Sequence, residues 1–250
     1  MFVERRRGES ADQLRAAVAD LVRLQVDVLV VFGTGMANTA QMETKTIPIV
    51  IQNAGGDLVA AGLVANLARP GGNITGVQIL SDDLISKRLE LLKALVPNLS
   101  RVAFLGEDVT NAALPQLLAR YVQQAAVAAR TLGIELHPII VHQPADLAPA
   151  FRDMTKKGDQ GLLAMASLFL LLYRKDIIAL AAKHRIATIY EFQLHPEQGG
   201  LMSYGVYDSE VRRREAFLVD KILRGAKPGN LPIEQPTKFE LVINRASRES

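Results

Sequence analysis

Short apolar runs alternate with longer amphipathic segments along almost the whole chain. Five of the runs have the composition of strands that are buried on both faces. These are Val28–Phe32, Ile47–Ile51, Val102–Leu105, Leu162–Met165 and Ala187–Tyr190. Between them lie six segments with helical spacing, at 11–24, 82–95, 113–132, 145–156, 171–185 and 208–224. This alternation predicts an α/β fold with parallel sheets and right-handed crossovers.

Residues 62–76 contain the strongest break in the pattern. Apolar residues at 63, 64, 67 and 68 predict a helix that Pro70-Gly71-Gly72 ends, before an extended run at 73–76. Such a segment is typical of a tight connection between two packed units. Further candidate connections are Ser203–Gly205 and Gly225–Pro236. Three connections predict two sheets with a cleft between them, and a single open sheet is the alternative.

Composition narrows the possible partners. The 250 residues include 29 Lys and Arg against 26 Asp and Glu, a net charge of +3, and the basic triplets 5–7 and 212–214 are interpreted as solvated faces. We therefore expect no nucleic-acid partner. There is no cysteine, which excludes disulfides and thiolate chemistry.

The longest apolar run, 162–173, is shorter than the roughly 20 residues of a membrane span. The first ten residues lack the apolar stretch of a signal peptide.

Three stretches together resemble one protein family. They are residues 62–76, Gly-Leu-Met-Ser-Tyr-Gly at 200–205 and Ile-Leu-Arg-Gly-Ala-Lys-Pro at 222–228. They are similar to the solute-binding proteins of ABC importers, in the branch whose known members bind aromatic or other apolar amino acids. The resemblance implies a type I periplasmic-binding fold of two Rossmann-like lobes, which we expect at 1–76 plus about 205–228 and at 77–204 plus about 229–250. It also implies a small-molecule solute, an ABC permease partner, no cofactor, a periplasmic location and no membrane insertion of this chain.

The resemblance covers nearly the whole chain, whereas the chain covers only the middle of the family. The family has a signal peptide, a first strand and a first helix before the strand that we predict from Phe2, and another helix after Asn244. We therefore expect the first βα unit to be missing and the chain to be truncated at both ends. Expressed as given, without a signal peptide, it would remain cytoplasmic.

In the first lobe, Thr34 and Gly35 follow a predicted strand and precede a helix. The free N–H groups of a helix start, together with the Thr34 hydroxyl, suit a ligand carboxylate. No Gly-Lys-Ser/Thr follows, so this is not a phosphate loop. Asn53 and Asp57 follow the next strand and are expected at the same sheet edge. The alternatives are an ordinary strand–helix turn at Thr34 and helix capping by Asp57.

In the second lobe, Ser167 ends a predicted strand at a position where the family commonly has an acidic residue. The ligand's ammonium therefore lacks that partner, or the solute is more apolar. Tyr190 can stack on a flat ligand, and the Glu191 carboxylate can replace the missing acid. Tyr204 lies at the second presumed hinge, and Glu107 with Asp108 completes the rim. The alternative for the neighbouring Phe169 and Leu170 is a place in the core.

Catalytic patterns are weak. The four histidines lack metal-ligand spacing and no Gly-x-Ser-x-Gly elbow is present, so we predict no enzyme, no catalytic residue and no metal site. The leading hypothesis is a solute-binding component of an ABC importer that captures an amino acid or a related carboxylate by hinge closure. The alternatives are a truncated, non-functional fragment and the ligand-sensing domain of a regulator.

Overall fold

The structure is a computed structural model that describes residues 11–79, 81–108 and 116–244. Within these ranges the chain forms two compact units. The first contains residues 11–79 and 207–237, and the second contains 81–108, 116–206 and 238–244. The predicted strand from Phe2 and the basic triplet 5–7 lie outside the described residues.

The described residues form nine strands and nine α-helices. The strands are β1 (Leu29–Phe32), β2 (Ile49–Gly55), β3 (Ile74–Ile79), β4 (Arg101–Glu107), β5 (Glu135–Val141), β6 (Gly161–Ala164), β7 (Ala187–Tyr190), β8 (Met202–Val206) and β9 (Phe239–Ile243). The helices are α1 (Ala11–Arg23), α2 (Gly33–Glu43), α3 (Ser81–Leu95), α4 (Gln116–Thr131), α5 (Leu147–Lys157), α6 (Leu168–Leu172), α7 (Arg174–His184), α8 (Leu194–Glu197) and α9 (Asp208–Leu223). Short 3-10 turns lie at Pro144–Asp146 and Pro228–Asn230.

The first unit is built on a parallel three-stranded sheet in the order β1-β2-β3. Successive residues of β2 face opposite sides of this sheet, as strand geometry requires. Ile49 and Ile51 pack into the core that includes Ala37 and Ala40 of α2, whereas Val50 packs against Leu218 of α9. Both faces are therefore covered, which explains why the strands of this unit are apolar almost throughout.

The second unit is built on a six-stranded sheet in the order β5-β4-β6-β7-β8-β9. All neighbouring strands are parallel except β9, which runs antiparallel to β8. The chain moves from β4 to β5 at one edge and then returns past β4 to β6. The strand order thus reverses between β4 and β6, and the carboxyl ends of such a strand pair are the usual ligand position in open α/β sheets.

The predicted α/β class with parallel sheets in two lobes is confirmed. All five predicted strands are present, and the single-sheet alternative is excluded for the described residues because β1–β3 and β4–β9 form separate sheets. Each of the six predicted helical segments contains a helix, although the segment 171–185 is divided, with α6 ending before Tyr173 and α7 starting after it.

Strand β5 was not predicted. Pro138 lies at its centre, and several of its residues are exposed or half-buried, so it lacks the apolar run of a central strand. A proline cannot donate to a neighbouring strand and is tolerated at a sheet edge. Strand β5 lies at such an edge and pairs only with β4 among the described strands.

The predicted helix at 62–69 is wrong. These residues form turns, in which Gly62 has a φ of 70° and the Asn66 side chain accepts a hydrogen bond from Arg69 N. Leu63 and Val64 are nevertheless buried in the core of the first unit. These residues are therefore apolar because they pack into the core of the first unit, and not because they form one face of a helix.

The connections lie several residues away from those predicted. Val77–Ile79 continue β3 in the first unit, and Glu234 pairs with Val77 of the same unit. Ser203–Gly205 lie within β8 and not in a turn. The chain therefore passes between the units near residues 80, 206 and 238, where hydrogen-bonded strands end or begin.

Candidate functional site

The carboxyl edge of the first sheet carries Thr34 and Gly35 at the start of α2. Gly33 supplies the positive φ, 76°, that turns the chain directly from β1 into the helix. The N-cap residue, Phe32, makes no side-chain hydrogen bond to this helix start. The first backbone N–H groups of any α-helix have no acceptor within the helix. Thr34 is buried, and its hydroxyl donates a hydrogen bond to the carbonyl oxygen of Gly55. This hydrogen bond connects the start of α2, directly after β1, to the end of β2.

Asp57 follows β2 and is exposed. One of its carboxylate oxygens accepts hydrogen bonds from Val59 N at 2.9 Å and Ala60 N at 3.1 Å. The capping alternative therefore describes its contacts, although it caps a turn and not a regular helix. Asn53 lies in β2, and its side chain is outside the described part of the structure.

Gln78 was missed in the sequence. It is buried near the end of β3, where its side-chain amide donates a hydrogen bond to the carbonyl oxygen of Gly56. Gln235 in turn donates to the Gln78 side-chain oxygen at 3.3 Å. The sequence signal for Gln78 was a glutamine within the apolar run 74–79. A buried amide requires hydrogen-bond partners, so this position indicated a polar contact at the end of the strand.

Ser167 lies beyond the carboxyl end of β6, beside the point where the strand order reverses. It is buried, and its hydroxyl oxygen accepts a hydrogen bond from Leu170 N at 3.0 Å, so it caps α6. Leu170 belongs to the core of the second unit and Phe169 packs against that core, as the alternative interpretation expected.

Tyr190 is buried within the second unit, with 1% of its surface exposed. Its ring stacks on His195, with 4.2 Å between the ring centroids and 12° between the planes. Burial raises the pKa of the Tyr190 phenol well above its usual range, and Thr188 opposes that shift. The ring also lines a pocket of about 330 Å³ beside Gly200 and Leu201, which precede β8. In the structure the ring therefore stacks on His195, and its stacking on a ligand stays a prediction.

The second unit brings Ser167, Tyr190 and Glu191 together around a cavity of about 10 Å³. His195 lines the same cavity. A volume of this size holds about one water molecule.

Glu191 follows β7 and forms an ion pair with Arg88 of α3. The distance between Arg88 Nη2 and Glu191 Oε2 is 2.9 Å, and both side chains are at most 2% exposed. Arg88 Nε also donates a hydrogen bond to the carbonyl oxygen of Tyr204 at 2.7 Å. One buried guanidinium thus connects the end of β7 with the middle of β8. Tyr204 itself is half-buried, with its ring 6.2 Å from that of Phe239.

Arg88 was also missed in the sequence. It stands in the amphipathic segment 82–95, in which several other residues are charged. Its spacing from Leu84, Ile85, Leu89 and Leu92, which are all buried, was the available signal.

His195 predicts a pH-dependent stability. Burial lowers the pKa of His195 to about 4. A hydrogen bond to the Phe192 carbonyl oxygen opposes this shift, and the positive charge of Arg174 adds to it. An unfolded histidine titrates near 6.5, so the unfolded state binds more protons below that pH. The free energy of unfolding should therefore fall by up to about 3 kcal/mol as the pH decreases from 6.5 to 4.

Urea unfolding at several pH values between 4 and 7 measures this effect. His195→Phe keeps a flat ring on Tyr190 but removes the titrating group, and it should flatten the pH dependence over this interval. An equal pH dependence in the variant and the parent would contradict the assignment to His195.

The described side chains and helices bear on two other kinds of site. No group of three or more His, Asp or Glu residues in these ranges is arranged to hold a metal ion. Among the helices described, none combines the length and apolar character needed to cross a bilayer.

Two parallel-sheet units with polar groups at the carboxyl ends of their strands define the class of α/β ligand-binding proteins. Residues 6–250 match the model of the ABC transporter substrate binding protein family, and the chain belongs to that family. This confirms the resemblance found in the sequence. It also agrees with the prediction of a binding protein and not an enzyme, because the family consists of substrate-binding proteins.

Individual relatives agree with this assignment. The tyrosine-binding protein of Clostridioides difficile (strain R20291) is 26% identical over 222 residues, which cover 87% of this chain. The chain spans 61% of the length of that curated relative. A crystal structure of a conserved domain protein from Vibrio cholerae O1 biovar eltor has a TM-score of 0.83 at 25% identity, covering 96% of this chain and 78% of that one. The ABC domain from Streptococcus pneumonia in complex with L-Trp has the same fold, with a TM-score of 0.82 at 22% identity and coverages of 96% and 78%.

Proposed function

We propose that this chain is the solute-binding component of an ABC importer, which captures an amino acid or a related carboxylate and delivers it to a permease. The match of residues 6–250 to the substrate-binding family carries the proposal. A relative named for tyrosine binding and a structural neighbour crystallised with L-Trp support an aromatic ligand. The family also supports a periplasmic location.

We further propose that the ligand bridges the two units and favours their closure. The chain passes between the units near residues 80, 206 and 238, and these connections would act as the hinges. A ligand that contacts both units only when they are closed shifts the population toward that state.

The start of α2 is the proposed position of the ligand carboxylate. Its first backbone N–H groups and the positive end of the helix dipole favour an anion. Thr34 would support this position through its bond to Gly55, and Gly35, which has no side chain, would permit a close approach of the ligand. Tyr204 is proposed to contact the ligand from the second unit. We propose no contact for Asn53, while Asp57 is proposed to hold the adjacent turn.

Isothermal titration calorimetry on the full chain tests this function. The panel contains L-tyrosine, L-phenylalanine, L-tryptophan, their desamino acids and, as an unrelated solute, D-ribose. We expect saturable heat with at least one aromatic carboxylate and none with D-ribose. A folded chain that gives no heat with any aromatic carboxylate would contradict the proposal.

One variant tests the position of the carboxylate. Gly35→Asp places a negative charge at the start of α2, where it suits the helix but repels a ligand anion. We expect at least a tenfold loss of affinity without a loss of stability. Gly72→Asp is the matched control, because residue 72 is exposed and an added Cβ there meets nothing within 4 Å. Equal ligand affinities of the two variants would show that the ligand carboxylate does not bind at the start of α2.

A further inference from the structure

The ion pair between Arg88 and Glu191 bears on which ligand this protein can bind. Glu191 is the residue at the carboxyl end of β7 whose charge could neutralise a ligand ammonium. Its side chain is 1% exposed, and the Arg88 guanidinium lies 2.9 Å from its Oε2 atom. Arg88 is in turn fixed by its bond to the Tyr204 carbonyl oxygen. The negative charge is therefore compensated inside the second unit.

Among the carboxylates that follow strands and whose side chains the structure describes, the others are paired or buried as well. Asp108, after β4, lies 2.9 Å from His142 Nδ1. Glu107, the last residue of β4, is only 6% exposed. Asp57, after β2 in the first unit, accepts two backbone hydrogen bonds within its own turn. Ser167, after β6, carries no charge and uses its hydroxyl oxygen to cap α6.

From these contacts we infer that the protein recognises an aromatic monocarboxylate and does not recognise an α-ammonium group. The inference rests on the proposed function and narrows its ligand class. In the second unit, the half-buried rings of Phe192 and Tyr204 offer an apolar surface for the aromatic part. The carboxylate belongs at the start of α2. An ammonium group would lose its hydration without gaining a charged partner, so it adds nothing to the affinity or weakens it.

Matched ligand pairs test the inference by calorimetry on the full chain. The pairs are L-tyrosine with 3-(4-hydroxyphenyl)propionate and L-phenylalanine with 3-phenylpropionate, which differ only in the α-amino group. We expect each desamino acid to bind at least as tightly as its amino acid. Tighter binding of the amino acids would overturn the inference while leaving the proposed function intact. No heat from the folded chain with any of the four, nor with L-tryptophan and its desamino acid, would contradict both.

Variants of the ion pair test the cause. Arg88→Met leaves the Glu191 carboxylate without its charged partner, so a ligand ammonium becomes the available counter-charge and the affinity ratio should shift at least tenfold toward the amino acid. The double variant Arg88→Met/Glu191→Gln should restore the original ratio. An unchanged ratio in folded Arg88→Met would overturn the role of the ion pair.

Glu191→Gln alone keeps the inference testable where Arg88→Met does not fold. In this variant the affinity for the amino acid, relative to that for its desamino acid, should fall by no more than about twofold. The reason is that Glu191 contacts Arg88 and not the ligand. A tenfold selective loss of amino-acid affinity would show that Glu191 binds the ammonium, and would overturn the inference.

Discussion

Arg88→Met should destabilise the second unit by about 3–5 kcal/mol, because it leaves the Glu191 carboxylate buried without its partner. Both side chains of the pair are almost completely buried, so water cannot replace the guanidinium. The variant also removes the donor to the Tyr204 carbonyl oxygen in the middle of β8. Urea unfolding followed by circular dichroism measures the loss.

Two further variants separate the possible causes of this loss. The double variant Arg88→Met/Glu191→Leu removes both charges and should recover most of the lost stability, because well-packed apolar residues can replace a buried ion pair. Arg224→Met is the control for removing an arginine from an exposed pair. Arg224 lies 3.0 Å from Asp220, but their side chains are 78% and 52% exposed, and its loss should cost about 1 kcal/mol or less. Similar losses for Arg88→Met and Arg224→Met would contradict a buried, compensated charge.

Gly76→Ala should destabilise the first unit by about 4 kcal/mol, through steric overlap and backbone strain together. Gly76 pairs with Ile51 across β2 and β3 and has a φ of 148°. An added Cβ would lie within 2.9 Å of the N, C and O backbone atoms of Ile51. Ile51 lies in a buried strand with 0% exposure, so its backbone cannot move away without breaking the sheet.

Gly72→Ala is the matched control for this substitution. Residue 72 lies four positions earlier in the same segment, is exposed, and would place its Cβ in open space. Its effect should be below about 1 kcal/mol in the same urea titration, as for most surface substitutions. A small effect of Gly76→Ala, comparable to that of the control, would show that β2 and β3 do not approach this closely.

The outcomes for individual elements show where apolar spacing is a reliable guide. Continuous apolar runs such as Ile47–Ile51 predicted strands correctly, because a strand covered on both faces has no polar side. The spacing at 63, 64, 67 and 68 was misleading, because turn residues that cover a sheet also bury their apolar side chains. Strand β5 was missed because an edge strand needs neither a continuous apolar run nor every backbone donor.

The candidate site shows the same division. Thr34 and Gly35 were located correctly at the start of a helix, since a strand followed by Gly-Thr-Gly is a local signal. Glu191 was assigned a free charge, because nothing near it in the sequence identifies Arg88, 103 positions earlier, as its partner. Tyr190 was placed against the ligand, but the strand buries its ring against His195.

The sequence by itself determined the α/β class, the parallel sheets and the family of this protein, because strand and helix periodicity and turn residues are local properties of the chain. Only the tertiary structure decided where each unit begins and ends and which charged side chains are already paired. The physical reason is that ion pairs and strand order join residues far apart in the chain. Burial then determines whether a carboxylate such as that of Glu191 stabilises the fold or remains available to a ligand.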